Sequence, residues 1–144
     1  MRIATVRCII KSANKDKVLL CYGKADKHYF LPGGGIEFQE LAEEAIYREF
    51  KEEMGLEKNQ IKVNGFLGIT ENMFDKAHGI DVVFDVDLSV EKIISFEPDK
   101  IDFHWVEIKE LDNIDIRPAP IKEMIKDTKK NHIINISINR NKTN

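Results

Sequence analysis

The stretch from Gly33 to Leu56, GGGIEFQELAEEAIYREFKEEMGL, constrains this chain more than any other. Its three glycines do not continue a strand comfortably; they favour a turn at positive φ or a close backbone approach. From Glu40 to Met54 there is no Gly or Pro, and Leu, Ala, Glu, Lys, Arg and Met dominate, so the segment is predicted to be a helix that Gly55 ends. At about 100° per residue, Ala42, Ala45, Ile46 and Phe50 gather on the side that should face a core. Glu49, Glu52 and Glu53 fall among them, while Glu44, Arg48 and Lys51 take the more solvent-facing side. Three carboxylates on a half-buried face repel one another, and burying them unpaired is costly. Arg48 supplies one charge, in reach of Glu44 or Glu52 at i±4. A divalent cation does the job better: Mg²⁺ takes oxygen ligands and is commonly completed by substrate phosphates. The plainer alternative is a solvated helix rich in Glu and Lys.

The spacing favours the first reading. Gly34, five residues, Glu40, seven residues, then Arg48-Glu49-Phe50-Lys51-Glu52-Glu53-Met54-Gly55-Leu56 resembles the signature of the Nudix hydrolases at every fixed position. The one departure in character is Phe50, where an aliphatic residue is commoner. The resemblance extends weakly over most of the chain, through HYFLPGGG, Glu71-Asn72 and Trp105-Val106. It implies an α/β fold, a Nudix-type α/β/α sandwich with a mixed sheet. It also implies Mg²⁺- or Mn²⁺-dependent hydrolysis of a pyrophosphate bond in a nucleoside diphosphate derivative. Carried over position by position, it makes Glu49, Glu52 and Glu53 metal ligands, with Glu49 shared between metal and proton abstraction. Arg48 then orients a carboxylate. Gly33, Gly34 and Gly35 bring backbone close to metal or phosphate oxygens, besides making a tight strand-to-helix turn. Glu40 has a local role near the helix N-terminus, and Leu41 and Phe50 are core. The family often adds a loop carboxylate as ligand or general base; Glu97 is the first candidate, then Asp99 and Asp102, with a Glu of the helix as the alternative.

The resemblance leaves the substrate open. A (d)NTP cleaved to a nucleoside monophosphate is the first expectation; ADP-ribose, dinucleotide polyphosphates or nucleotide sugars are the second, and a non-catalytic ligand-sensing domain the third. Tyr22, Phe30, Phe74 or Trp105 could stack on a base, though strand aromatics are more often core. Arg7, Lys24 and Lys27 could meet phosphates, though such cations are more often merely solvated.

At 144 residues the chain is expected to hold one domain, 1–138, followed by a mobile polar tail, 139–144. A net charge of −3 argues against binding a nucleic acid polymer or an acidic membrane by bulk electrostatics; the small nucleotide expected as partner is what the resemblance implies, and an anionic substrate would need locally placed cations. No run approaches membrane-spanning length and no signal peptide is visible, so a cytoplasmic location is the default. Cys8 and Cys21 read as small buried thiols rather than a disulfide. Strands are expected at 3–10, 18–22, 28–31, 61–74 (bulged near Gly65 or Gly68), 80–88 and 101–108, with a hairpin turn at 75–79 and a loop at 111–120. A second helix follows Pro120 on the stripe Ile121, Met124, Ile125. A last strand carries Ile134, Ile136 and Ile138; whether it finishes the sheet or pairs with another chain leaves monomer and homodimer both open.

Overall fold

The computed structural model describes residues 4–74, 77–128 and 132–138, with backbone alone at 74, 77 and 132–138. In chain order the elements are β1 (Ala4–Ile10), β2 (Lys17–Gly23), β3 (His28–Phe30), β4 (Gly33–Gly35), α1 (Ala42–Met54), β5 (Ile61–Phe74), β6 (Ala77–Leu88), β7 (Ile101–Glu107), α2 (Ile121–Lys126) and β8 (His132–Ile138), with 3₁₀ turns at Lys58–Gln60 and Ile108–Asn113. They form a five-stranded sheet ordered β4-β1-β6-β5-β8 and a three-stranded sheet ordered β3-β2-β7. The larger sheet is mixed: β1 and β6 run parallel, as do β5 and β8, while β5–β6 and β1–β4 are antiparallel. The C-terminal strand therefore adds to β5.

Strand alternation divides the interior in two. Val6, Cys8 and Ile10 of β1, with Phe84 and Val86 of β6, pack against Ala45, Ile46, Phe50 and Met54 of α1. Ile9 and Val83, on the opposite face, join Leu20, Leu31, Leu67 and Leu111 around Ile121, Met124 and Ile125 of α2. Successive strand residues point to opposite faces, so β1 and β6 each supply both cores. Each large side chain buried this way contributes roughly 1.5–3 kcal/mol, and Phe50, Ile46, Ile121 and Met124 are all fully or almost fully buried. Phe103 and Trp105 reach the α1 core and Val106 the other, as the alternation in β7 requires.

The bulges near Gly65 and Gly68 are present as register shifts between Val63 and Gly65 and between Phe66 and Gly68. Other boundaries move. The glycine run is a strand, not a turn: Val6 faces Gly34 and Arg7 faces Gly33 in the β1–β4 ladder. Only glycine permits it, because Gly33 sits at φ 145 and a Cβ there would lie 1.9 Å from the Val6 carbonyl oxygen. The helix starts at Ala42 rather than Glu40, since Gln39 takes a positive φ of 62. It ends at Gly55 in the left-handed region, whose N–H bonds the Lys51 carbonyl. β6 begins at Ala77, so the hairpin is tighter than 75–79; residues 75 and 76, and the tail 139–144, lie outside the described residues. The expected loop at 111–120 opens within a 3₁₀ turn that buries Leu111.

Candidate active site

Arg48 is the hub of the acidic helix face. Its Nε donates to Glu40 Oε2 at 2.7 Å and one terminal nitrogen to Glu40 Oε1 at 2.9 Å and the Gly35 carbonyl at 2.8 Å. The other terminal nitrogen reaches Glu49 Oε1 at 2.9 Å and Glu52 Oε2 at 3.4 Å. These contacts match the five N–H donors a guanidinium owns. Of the two partners expected at i±4, Arg48 meets Glu52 and not Glu44; the side chain is half-buried rather than solvent-facing, because Glu40 and Glu49 also hold it. Glu40 is thereby an anchor that ties the chain before α1 back onto the helix, and its carboxylate also accepts from the Glu37 N–H at 3.0 Å. Leu41, expected in the core, is exposed, because the helix begins after it with Ala45 and Ile46 pointing inward.

With Arg48 committed elsewhere, Glu53 is left over. Glu49 is buried, Glu53 half-buried and Glu52 exposed. One Glu53 oxygen, Oε2, is shut away from solvent without a hydrogen-bond partner. Burial first, then the Glu49 charge and a proton that two adjacent carboxyls would share, push the Glu53 carboxyl up to about 8. Arg7 opposes this and Glu97 adds to it. Gly34 closes the other side: a Cβ there would fall 2.3 Å from Glu49 Cδ, so glycine alone lets the backbone meet this carboxylate. Among the described residues no three His, Cys, Asp or Glu side chains converge into a ready cation cage. Glu49 and Glu53 are brought together and Glu52 stands at their edge. An orphaned buried carboxylate oxygen beside a second carboxylate suits a hard divalent cation, so these residues fit the metal that the sequence implies.

The loop between β6 and β7 docks on the end of α1. The Phe96 N–H bonds the Glu53 carbonyl at 2.8 Å, and the Phe96 ring covers Gly55. Glu97 thus comes within electrostatic reach of Glu53 while staying exposed. Asp102 instead pairs with Lys24 at 3.5 Å, and Asp99 is exposed on the loop. Lys24 also bonds the Pro98 carbonyl and pins the loop to β2.

Sequence reading missed a second polar assembly. Thr5, Asp81 and Thr70 lie in one row across β1, β6 and β5. The buried Asp81 carboxylate accepts from the Thr5 hydroxyl, from Thr70 Oγ1 at 2.9 Å and from Asn72 Nδ2 at 2.7 Å, with Arg7 Nε 3.9 Å away. This row borders a cleft of about 360 Å³ whose lining includes Arg7, His28, Phe30, Asn72 and Arg117. Of the base-stacking candidates, Phe30 lines the cleft under the Arg7 guanidinium, 5.6 Å from the ring centroid. Trp105 is partly buried against the α1 core with Nε1 on the Glu91 carbonyl, and Tyr22 lies against Tyr29; the Phe74 side chain is outside the described residues. Of the cations, Arg7 faces the cleft, Lys24 holds the loop and Lys27 is exposed.

Cys8 and Cys21 are free buried thiols, and no helix among the described residues is long and apolar enough to cross a membrane.

Comparison with known proteins agrees with this geometry. The chain is 31% identical over 132 residues to nucleoside triphosphatase NudI of Enterobacter sp. (strain 638), covering 83% of this chain and 92% of that one. Its fold matches the MutT protein of Methanosarcina mazei Go1 with a TM-score of 0.73 at 21% identity, over 89% of this chain and 96% of that chain. It also matches an Ap4A hydrolase of C. elegans with a TM-score of 0.69 at 18% identity, over 86% and 93%. Both likenesses bear on fold alone, and they establish the α/β sandwich with a mixed sheet. The NUDIX domain model matches residues 1–127, nearly the whole described structure, and the chain belongs to the NUDIX family.

Proposed function

We propose that this protein is a divalent-metal-dependent pyrophosphohydrolase that cleaves a nucleoside triphosphate with water to a nucleoside monophosphate and pyrophosphate. The observation that carries the reading is Glu53, a carboxylate held beside Glu49 with one buried oxygen unpartnered. The nucleoside triphosphatase relative, at 31% identity, supports the choice of triphosphate.

Glu49 and Glu53 would hold the cation, with Glu52 completing the set from the exposed edge. A bound Mg²⁺ or Mn²⁺ supplies neutralisation of phosphate charge and Lewis acidity toward water and phosphoryl oxygen. Arg48 fixes Glu49 and draws Gly35 and Glu40 onto the helix, so the carboxylates are positioned before substrate arrives. The close approach of Gly34 keeps backbone against Glu49 where a side chain would displace it. Arg7, which lines the cleft and whose charge opposes the Glu53 shift, would supply a cation for a substrate phosphate. Glu97, on its docked loop, is the candidate to accept the proton of the attacking water, with Glu49 the alternative.

Hydrolysis of a panel of nucleoside triphosphates, ADP-ribose, dinucleotide polyphosphates and nucleotide sugars, with and without Mg²⁺, tests the proposal. Monophosphate and pyrophosphate released from a triphosphate only with metal is the expected outcome. Turnover confined to another class would replace the substrate; Mg²⁺-dependent turnover retained by Glu53→Gln would remove the mechanism.

A further inference from the structure

Asn64-Gly65 is the one Asn-Gly pair in the sequence, and the fold leaves it open. In the β5–β6 ladder Val63 faces Val86 and Gly65 faces Asp85, so Asn64 is the extra, unpaired residue of a bulge. On the other edge β8 pairs with β5 from Gly68 onward, so among the described residues β6 is the only strand beside Asn64. The Asn64 side chain is exposed. Packing does not demand the glycine that follows: a Cβ on Gly65 would meet nothing within 4 Å, and its φ is not in the left-handed region. The Asn64 carboxamide carbon and the Gly65 backbone nitrogen are one five-membered ring apart. A side chain on the second residue ordinarily hinders their approach, and here there is none.

The Asn64 amide also has work in the fold. Its Nδ2 donates to Asp87 Oδ2 at 3.0 Å. The neighbouring Asp85 carboxyl is pushed up by burial and by the Asp87 charge, while the Asn64 amide, Lys11 and Lys15 oppose the rise. Loss of that amide would leave two carboxylates with one donor fewer.

We propose that Asn64 is a site of spontaneous covalent modification, converted in the folded protein to aspartate and isoaspartate, and that the conversion weakens the β5–β6 ladder. The Gly65 nitrogen, its proton taken by solvent base, bonds to Asn64 Cγ. The Cγ–Nδ2 bond breaks, and Nδ2 leaves as ammonia with a proton returned from solvent. Water then opens the succinimide at either carbonyl carbon, giving aspartate or an isoaspartate whose chain runs through the former side chain. One water is consumed and one ammonia released, and nothing is oxidised or reduced. Both products put a carboxylate where a donor stood, beside Asp85 and Asp87, and like charges on facing strands repel. Isoaspartate also lengthens the backbone of a strand by one carbon. The site does not depend on the pyrophosphohydrolase reading.

Peptide mapping by mass spectrometry, on the folded wild-type protein kept in mildly alkaline buffer, tests this. The peptide spanning Asn64 should gain about one dalton and separate into two products. It should do so at least about tenfold faster than the peptides of Asn14, Asn59 and Asn113, each followed by a larger residue. Gly65→Ala, which the open space admits, should slow conversion at Asn64 by about tenfold or more without lowering the melting temperature. Asn64→Asp should melt a few degrees below the wild type, with a deficit that shrinks in high salt. An Asn64 still intact when the other three have reacted would overturn the proposal, and so would a Gly65→Ala protein that reacts as fast as the wild type. A folded-state rate more than about a hundredfold below the rate in urea would overturn the claim that the fold leaves the pair open. Asn64→Asp melting together with the wild type would overturn the consequence for the ladder. Should Gly65→Ala fail to fold, the wild-type map with and without urea decides alone.

Discussion

Glu53→Gln should stabilise the metal-free protein while destroying its activity. The Glu53 carboxyl is raised from 4.5 to about 8, chiefly by burial and the adjacent Glu49 charge. Each unit corresponds to about 1.4 kcal/mol between the two protonation states. Taken whole, the shift makes the ionised side chain unfavourable by roughly 5 kcal/mol; with solvent relaxation at a partly open site, ~2–4 kcal/mol is the expected scale. The folded-state value lies above the unfolded one, so the folded chain holds this proton more tightly. Wild-type stability is therefore undiminished below about 4.5 and falls as pH rises toward about 8. Glutamine does not titrate. The advantage of the variant should be small near pH 4.5, grow through this window and level off above it. Urea unfolding of both proteins in EDTA, near pH 5 and near pH 8, measures the difference directly. An advantage independent of pH, or a wild type that is the more stable at pH 8, would refute the reasoning. Saturating Mg²⁺ should shrink the difference by stabilising the wild type more than the variant.

Arg48→Gln strands Glu40 and Glu49, both largely buried, and should cost ~2–4 kcal/mol by urea unfolding; Arg48→Lys, with a single point-charge ammonium, should recover only part of it. Gly34→Ala places a methyl 2.3 Å from Glu49 Cδ and should weaken Mn²⁺ affinity by about tenfold or more, with little change in the metal-free melting temperature if the carboxylate rather than the strand gives way. Gly55→Ala meets both a left-handed backbone, φ 67, and the Phe96 ring. It should cost at least ~1–2 kcal/mol and lower kcat by loosening the loop that carries Glu97. Lys24→Met should lower kcat through the same loop with a smaller effect on stability, read by steady-state kinetics beside thermal melting.

What the sequence disclosed and what it withheld follow from range. The helix, its Gly55 terminus, the alternating strands and the Ile121-Met124-Ile125 stripe depend on neighbours a few residues apart, and each has its structural counterpart. The bulges were legible because Gly65 and Gly68 interrupt an otherwise strand-prone run. Arg48 was misplaced because a helical wheel knows only its own helix. Glu40 and the Gly35 carbonyl, which draw the guanidinium inward, come from the chain before it. The glycine run was misread as a turn because its strand character comes from β1, and only the ladder shows why a side chain is excluded. Asp81 looked like an ordinary polar position. Its meaning comes from register, which sets Thr5, 76 residues away, and Thr70, 11 residues away, in the same row. Glu97 could be nominated from the sequence, but its approach to Glu53 depends on the Phe96 contact with the end of α1.

The proposed function requires that Glu49 and Glu53 be tolerated side by side because they hold a divalent ion. Mn²⁺ titration followed by electron paramagnetic resonance tests it most directly, on the wild type, Glu49→Gln, Glu53→Gln and the double variant. Glu57→Gln serves as control, being an exposed partner of Lys51 away from the pair. Saturable binding that weakens by about tenfold or more in each single variant, vanishes in the double and persists in the control is the predicted result. Manganese bound by the double variant as tightly as by the wild type would contradict it.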